Sequence, residues 1–332
     1  MSAPFDTDAL VFGKVLTRDN PPLSRVKNRA LGDDIGGAEN TSEYIRASLS
    51  ENTRRAYQFD LACFFDWGGL LPASPDVVAR YLADKADELA PATLSRRIAT
   101  LGRAHVANGW ENPCLSELVR STLRGIKRVK GTNQKQAKPL LREDLFLVLD
   151  ALADGIIDHR DRALLLIGWA GGFRASELVG LRLEDVEHVR EGLILHLRKS
   201  KTDQLSKGRK LGIPLGRTRH CPVSALLKWI DVLAVDEGPL FRPVDRHGRI
   251  GSRILRGDAV SSVLRARMEA AGLNADGFSG HSLRSGLVTS AISQGISSYK
   301  IRAQTGHASD AMLDRYIRDQ EIFAGNALSY LL

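Results

Sequence analysis

From residue 50 onward, apolar positions recur with a helical period. Tyr57, Leu61, Phe64 and Phe65 fall at three- and four-residue steps, and Arg54 and Arg55 lie off that stripe. Ser74-Pro75 combines an N-cap with a proline in the first turn and opens a second helix through Val78 and Leu82. Leu94, Ile98 and Leu101 make a third stripe, with Arg96, Arg97 and Arg103 on other faces, and Asn112-Pro113 opens a fourth helix through Leu115, Leu118 and Ile126. Short amphipathic helices with arginines on their outer faces predict a bundle of four to five helices over residues 43–129.

Residues 1–42 carry Pro21-Pro22, Gly32 and Gly36-Gly37 with no sustained period, and read as a flexible arm with one short ordered piece near residues 10–16. Residues 120–142 hold eight basic side chains and no acidic one, and within them residues 130–139 read as a basic inter-domain linker. Such a charge run suits a strap across a DNA backbone; the alternative is a solvated connection that touches nothing. Helical patterns return over residues 143–153, 160–170 and 175–181. The period then changes: Leu193, Leu195 and Leu197 alternate with polar positions, as do Leu211, Ile213 and Leu215. Between them lies the polar turn Lys199-Ser200-Lys201-Thr202-Asp203, so the pattern predicts a small antiparallel sheet with a basic loop. Residues 222–232, 258–271, 283–294, 298–304, 310–318 and 321–331 read as helices. The expected fold is mostly α, a helical bundle followed over residues 140–332 by a mainly α domain with a small antiparallel sheet.

Composition narrows the partners. The 332 residues carry 47 Lys and Arg against 39 Asp and Glu, a net charge of +8 that suits a polyanion as well as a merely soluble basic protein. Cys63, Cys114 and Cys221 are odd in number and form no CxxC pair, which argues against a disulfide framework and a zinc site and fits a reducing cytosol. The longest apolar run, residues 163–173, is too short to span a bilayer. Residues 1–6 show no basic region ahead of an apolar core. The expectation is a cytoplasmic protein without membrane contact.

Five positions bear chemistry. His281 and Arg284, in Gly280-His281-Ser282-Leu283-Arg284, are spaced to share one helix face. The same spacing in His159 and Arg162 shows that the pair alone is weak; its flank, a capping Ser279 and Gly280, sets it apart. Arg174, in Gly171-Gly172-Phe173-Arg174-Ala175-Ser176-Glu177-Leu178, stands where helix N–H groups favour anions, or else makes an ordinary pair with Glu177. Tyr316 is either packing or a nucleophile; a phenol with a reference pKa near ~10 needs help from a base or cations. His307 lies nine residues before Tyr316, on the opposite face of any continuous helix, so Ser309 is read as a cap with His307 in the preceding turn. Two guanidinium forks, two proton-moving imidazoles and a phenol suffice to attack a phosphodiester without a metal.

In this order, the motifs resemble those of the tyrosine recombinases (the phage integrase family), with a pattern closest to the Cre-like members, over roughly residues 45–332. The resemblance rests on Gly172-Phe173-Arg174-Ala175-Ser176-Glu177-Leu178, on Gly280-His281-Ser282-Leu283-Arg284-Ser285-Gly286, and on Gly306-His307-Ala308 with Asp314-Arg315-Tyr316-Ile317-Arg318. It implies that Arg174 and Arg284 bind the scissile phosphate, His281 is an acid/base group, His307 hydrogen-bonds the phosphate and Tyr316 is the nucleophile. It further implies that Lys201, with Lys199 as a rival, protonates the departing 5′ oxygen, and that Glu177 positions its neighbours. The bundle then becomes a core-type DNA-binding domain, with Arg54, Arg55, Arg96, Arg97, Arg103, Lys127, Arg128 and Lys130 as DNA-contacting candidates.

The implied activity is site-specific strand exchange through a 3′-phosphotyrosine, independent of metal, cofactor and ATP. The implied partner is double-stranded DNA carrying an inverted-repeat site, bound by a homotetramer that is monomeric in free solution. Residues 322–331 would dock into a neighbouring subunit or fold back on their own domain. A DNA-binding regulator and a type IB topoisomerase are the rival readings.

Overall fold

The computed structural model describes residues 44, 47–132, 136–198, 208–310 and 313. They divide into two compact units that part at residue 134, inside the stretch read as a linker.

In the first unit, α1 (Glu51–Asp66) starts at Ser50, whose hydroxyl accepts from the Thr53 N–H at 3.2 Å, and α2 (Pro75–Asp84) starts at Ser74 with proline in its first turn. Next come α3 (Pro91–Ala107), a 3-10 turn at Pro113–Leu115 and α4 (Glu117–Lys130), which Ser116 caps. Leu61, Phe64, Val78, Tyr81, Leu82, Leu94, Leu101 and Val119 form the core, with Phe64 and Tyr81 edge to face at 5.1 Å. The expected fourth helix therefore splits. Asn112 caps only the 3-10 turn, its Oδ1 accepting from the Cys114 N–H at 3.0 Å, and Leu115 and Leu118 are exposed rather than part of a buried stripe.

One arginine expected on an outer face is inside. Arg97 is buried, donates to the Tyr81 hydroxyl and lies 3.7 Å from the carboxylate of buried Asp60. Asp60 also accepts from Arg96 at 2.6 Å and from Thr100 at 3.0 Å. A guanidinium enclosed in this network is unavailable to DNA, so Arg97 serves the bundle's interior. The helical period places Arg97 off the apolar stripe but cannot show that a carboxylate waits for it across the core.

In the second unit, α5 (Arg142–Asp150), α6 (Ile156–Ala170) and α7 (Ala175–Val179) precede a 3-10 turn at Leu183–Asp185. A three-stranded antiparallel sheet follows, β1 (Val186–Val189), β2 (Gly192–Leu197) and β3 (Arg209–Pro214), in the order β1-β2-β3 with Val186 and Leu211 both opposite Leu195. Leu193, Leu195 and Leu197 face the core together with Leu211 and Ile213, as their alternation predicts, but Leu215 lies past the end of β3 and is exposed; β1, which the alternation of leucines did not single out, completes the sheet. Among the described residues four helices come after: α8 (Pro222–Leu233), α9 (Gly257–Ala270), α10 (Gly280–Ser293) and α11 (Ser298–Thr305). α6 begins four residues before its expected start and is buried along much of its length, including Ala163, Leu164, Leu165, Leu166 and Ile167. α10 begins three residues earlier than expected, which puts His281 and Arg284 in its first turns. The expected fold class, mostly helical with one small antiparallel sheet, is the one observed. The pieces expected at residues 10–16, 310–318 and 321–331 lie in whole or nearly so outside the described residues. Among the described residues no helix is long and apolar enough to cross a membrane.

Replacing Asp60 by Ala leaves the buried Arg97 guanidinium without its carboxylate. Breaking a buried pair from one side costs about 3–5 kcal/mol, so D60A should lower the urea midpoint of the first unit, read from the fluorescence of Trp67 stacked beside Phe64.

Candidate active site

The site is assembled from four separated stretches of the second unit. The first is the turn that ends α6. Phe173 is buried and Gly172 adopts φ +58°, so the chain reverses and delivers Arg174 to the residue ahead of α7. The Arg174 N–H donates to one carboxylate oxygen of Glu177 at 2.9 Å and its guanidinium to the other at 2.6 Å. The Glu177 side chain is only 3% exposed and that of Arg174 is 20% exposed. This is not a loose surface pair: the carboxylate is fixed in the interior and holds the arginine from below.

The second stretch is α10. Ser279 caps it, its hydroxyl accepting from the His281 N–H at 3.3 Å, while the Ser282 hydroxyl accepts from the Ser279 N–H at 2.9 Å. His281 is exposed, and Arg284, one turn on, is buried. Arg284 Nη1 donates to the Gly172 carbonyl at 2.7 Å and to the Thr305 carbonyl at 2.6 Å. That guanidinium therefore ties the α6–α7 turn to the end of α11.

The third stretch is the turn after α11, where Gly306 at φ +69° closes the helix and hands the chain to His307. The imidazole is buried, with Nδ1 at 2.6 Å from the Thr305 hydroxyl. Burial, followed by the charges of Arg284, Arg174, His281 and Arg209, pushes its pKa from the usual 6.5 down to about 3. His307 is thus neutral at physiological pH and feels charges from α10, from the residue ahead of α7 and from β3.

The fourth stretch went unforeseen. Arg209, at the start of β3, donates through Nη1 to the carbonyls of Ala303 at 3.1 Å and Gln304 at 3.0 Å. Burial lowers its pKa, Glu177 raises it and Arg174 lowers it, so it stands close to that pair. In the sequence it is one more cation beside a basic loop, and nothing in the spacing links it to residues 303–307. Lys199, Lys201 and Tyr316 lie outside the described residues. Of the basic positions in the first unit, Arg55, Arg128 and Lys130 are exposed; Arg54, Arg103 and Lys127 are half-buried; and Arg96 is engaged with Asp60.

The sequence model described as "Phage integrase family" matches residues 139–321. The chain belongs to the phage integrase family. It is a tyrosine recombinase, an enzyme of DNA cleavage and rejoining. The chain is 36% identical over 330 residues to an "Integrase/recombinase xerD homolog" of Selenomonas ruminantium, across 96% of this chain and 97% of that protein. Among solved structures, the fold is similar to that of the XerH recombinase bound to a palindromic difH substrate in a post-cleavage complex. That match has a TM-score of 0.60 and 19% identity, over 89% of this chain and 83% of the other. A lambda integrase dimer bound to a COC′ core site gives a TM-score of 0.58 and 18% identity, over 85% of this chain and 77% of the other. At these identities the structures speak for the fold.

Two measurements probe the recombinase pocket. A Cβ at Gly172 would lie 2.8 Å from the Thr305 methyl and 2.9 Å from a Leu287 methyl, in a left-handed conformation. G172A should therefore destabilise the second unit by about 2–4 kcal/mol, measured by urea unfolding. The depressed pKa of His307 carries a sign as well. Between pH 6.5 and about 3 the unfolded chain accepts a proton there that the folded one refuses. The resulting stability is present above pH 6.5 and is lost as the pH falls toward 3. H307Q should flatten that acid dependence, so its stability difference from wild type should shrink between neutral and acid pH.

Proposed function

We propose that this recombinase exchanges strands at a specific inverted-repeat DNA site, using Arg174, Arg284, His281 and His307 around the scissile phosphate and Tyr316 as nucleophile. The observation that carries this reading is the pocket itself, where the neutral His307 imidazole stands within the electrostatic reach of Arg174, Arg284 and His281. An entering phosphate meets guanidinium groups already held by Glu177 and by backbone carbonyls, so little reorganisation accompanies binding. Negative charge growing on the non-bridging oxygens is stabilised by N–H donors that remain charged at every relevant pH.

Tyr316 attacks the phosphorus, the bond to the 5′ oxygen breaks, and a 3′-phosphotyrosine forms; Lys201 supplies the proton to the departing oxygen, with Lys199 as its rival. His281, exposed at the mouth of the pocket, takes the phenol's proton. Glu177 is the positioning residue for Arg174. A 5′ hydroxyl from a second duplex reverses the step, so energy stored in the phosphotyrosine removes any need for ATP. Exchange between two duplexes uses four copies of the chain assembled on DNA from free monomers. The domain boundaries follow: residues 1–42 an arm, 43–129 a core-site DNA-binding domain, 130–139 a linker and 140–332 the catalytic domain with a C-terminal exchange helix. In the first unit, Arg54, Arg55, Arg103, Lys127, Arg128 and Lys130 contribute phosphate contacts that position the bundle on the duplex. The place of action is the cytoplasm.

The test begins with the DNA that flanks the gene, or with a site selected in vitro, placed in a duplex nicked beside the cleavage position. The wild type should accumulate covalent adduct and Y316F none. Adduct that persists in Y316F, or that maps to another residue, rejects the assignment; no wild-type adduct on a tightly bound site points to a regulator, and relaxation of any supercoiled plasmid points to a topoisomerase. R284K, which loses the planar fork, should cleave about 10²–10³-fold more slowly. R128A should weaken binding at all sites alike and reduce the salt slope by about one.

A further inference from the structure

Thr305 is fully buried and occupies three roles at once. Its carbonyl accepts from Arg284, its methyl faces Gly172, and its hydroxyl stands 2.7 Å from the Ile301 carbonyl and 2.6 Å from His307 Nδ1. A hydroxyl has one hydrogen, and a carbonyl oxygen can only accept. The hydrogen of Thr305 is committed to Ile301, so towards His307 the oxygen can only receive one.

We propose that Thr305 is a positioning residue that fixes the tautomer of His307, holding the proton on Nδ1 and leaving Nε2 as a hydrogen-bond acceptor. The structural assignment stands by itself; its catalytic meaning rests on the function proposed above. Phosphate oxygens are acceptors, so a bare Nε2 cannot serve one. His307 donates to the phosphate only after Nε2 has taken a proton from solvent, which makes an imidazolium with both nitrogens protonated. Burial and the charged groups that face the ring oppose that uptake in the free protein: Arg284 and His281 of α10, Arg174 ahead of α7, and Arg209 of β3; Glu177, the carboxylate that pairs with Arg174, offsets part of that charge. On α11 itself, Arg302 donates to the His307 carbonyl at 3.3 Å. The anionic phosphate counters these charges, so engagement of DNA is coupled to binding of one proton, and cleavage accelerates as the pH falls.

The full-length protein labelled with ¹⁵N-histidine provides the first test, with the His307 resonances assigned by comparison with H307Q. At neutral pH the proposal requires a protonated Nδ1 and an unprotonated Nε2; a proton on Nε2 overturns it, whatever the variants do. The second test measures adduct formation on the nicked duplex. Wild type and T305S, which keeps the hydroxyl, should cleave roughly tenfold faster near pH 6.5 than near pH 8. T305V frees the imidazole to carry its proton on Nε2, and its rate should vary less than about twofold over that range. A T305V profile parallel to that of the wild type overturns the proposal. Wild type that shows the Nδ1–H tautomer but forms no adduct removes the recombinase mechanism and supports the tautomer assignment.

Discussion

Like charges must be crowded together here without driving the fold apart. Arg174, Arg209 and Arg284 converge around His307, and one carboxylate, Glu177, stands among them. Three positive groups against one negative leave a net charge of +2 in this set. The rest of the restraint comes from carbonyl dipoles: Gly172 and Thr305 hold Arg284, and Ala303 and Gln304 hold Arg209. A carboxylate partner cancels charge as it orients, whereas a carbonyl orients and leaves the charge available. The pocket is therefore rigid and still electropositive, as recognition of an anion requires.

The surrounding architecture keeps those acceptors in place. The last carbonyls of α11 have no partner within the helix, and the two arginines fill that vacancy. The helix end, negative by its dipole, also offsets part of the mutual repulsion among the guanidinium groups. α10 is fixed from the other side, where the Leu140 N–H donates to the Ser282 carbonyl at 3.0 Å and the Trp169 indole donates to the Leu140 carbonyl at 2.9 Å. The segment that enters the second unit thus runs directly against the helix that carries His281 and Arg284.

Much of this was legible in the chain because it follows from local rules. Leucine alternation gave β2 and β3, the helical period gave the start of α1, Ser74-Pro75 gave that of α2, and motif order brought Arg174, His281, Arg284 and His307 forward as a set. What escaped depends on partners far away in sequence. Arg97 carries no mark of burial until Asp60 is brought against it. Asn112-Pro113 has the grammar of a helix start, yet Ser116 offers a second cap and the longer helix begins there. Arg209 and Thr305 were missed because their partners are main-chain carbonyls and a ring nitrogen, whose positions no residue type announces.

That reliance on main-chain acceptors has an evolutionary corollary. Exchanging the side chains of Ala303 or Gln304 removes neither oxygen that grips Arg209, because every residue type supplies the same group there. Descendants of this gene are free to drift at exposed Ala303 while the arginine keeps its aim; at Gln304 the side-chain amide has a separate task, donating to the Ala170 carbonyl at 2.9 Å. What they cannot vary is the path of the backbone, so selection acts on conformation where it is blind to identity.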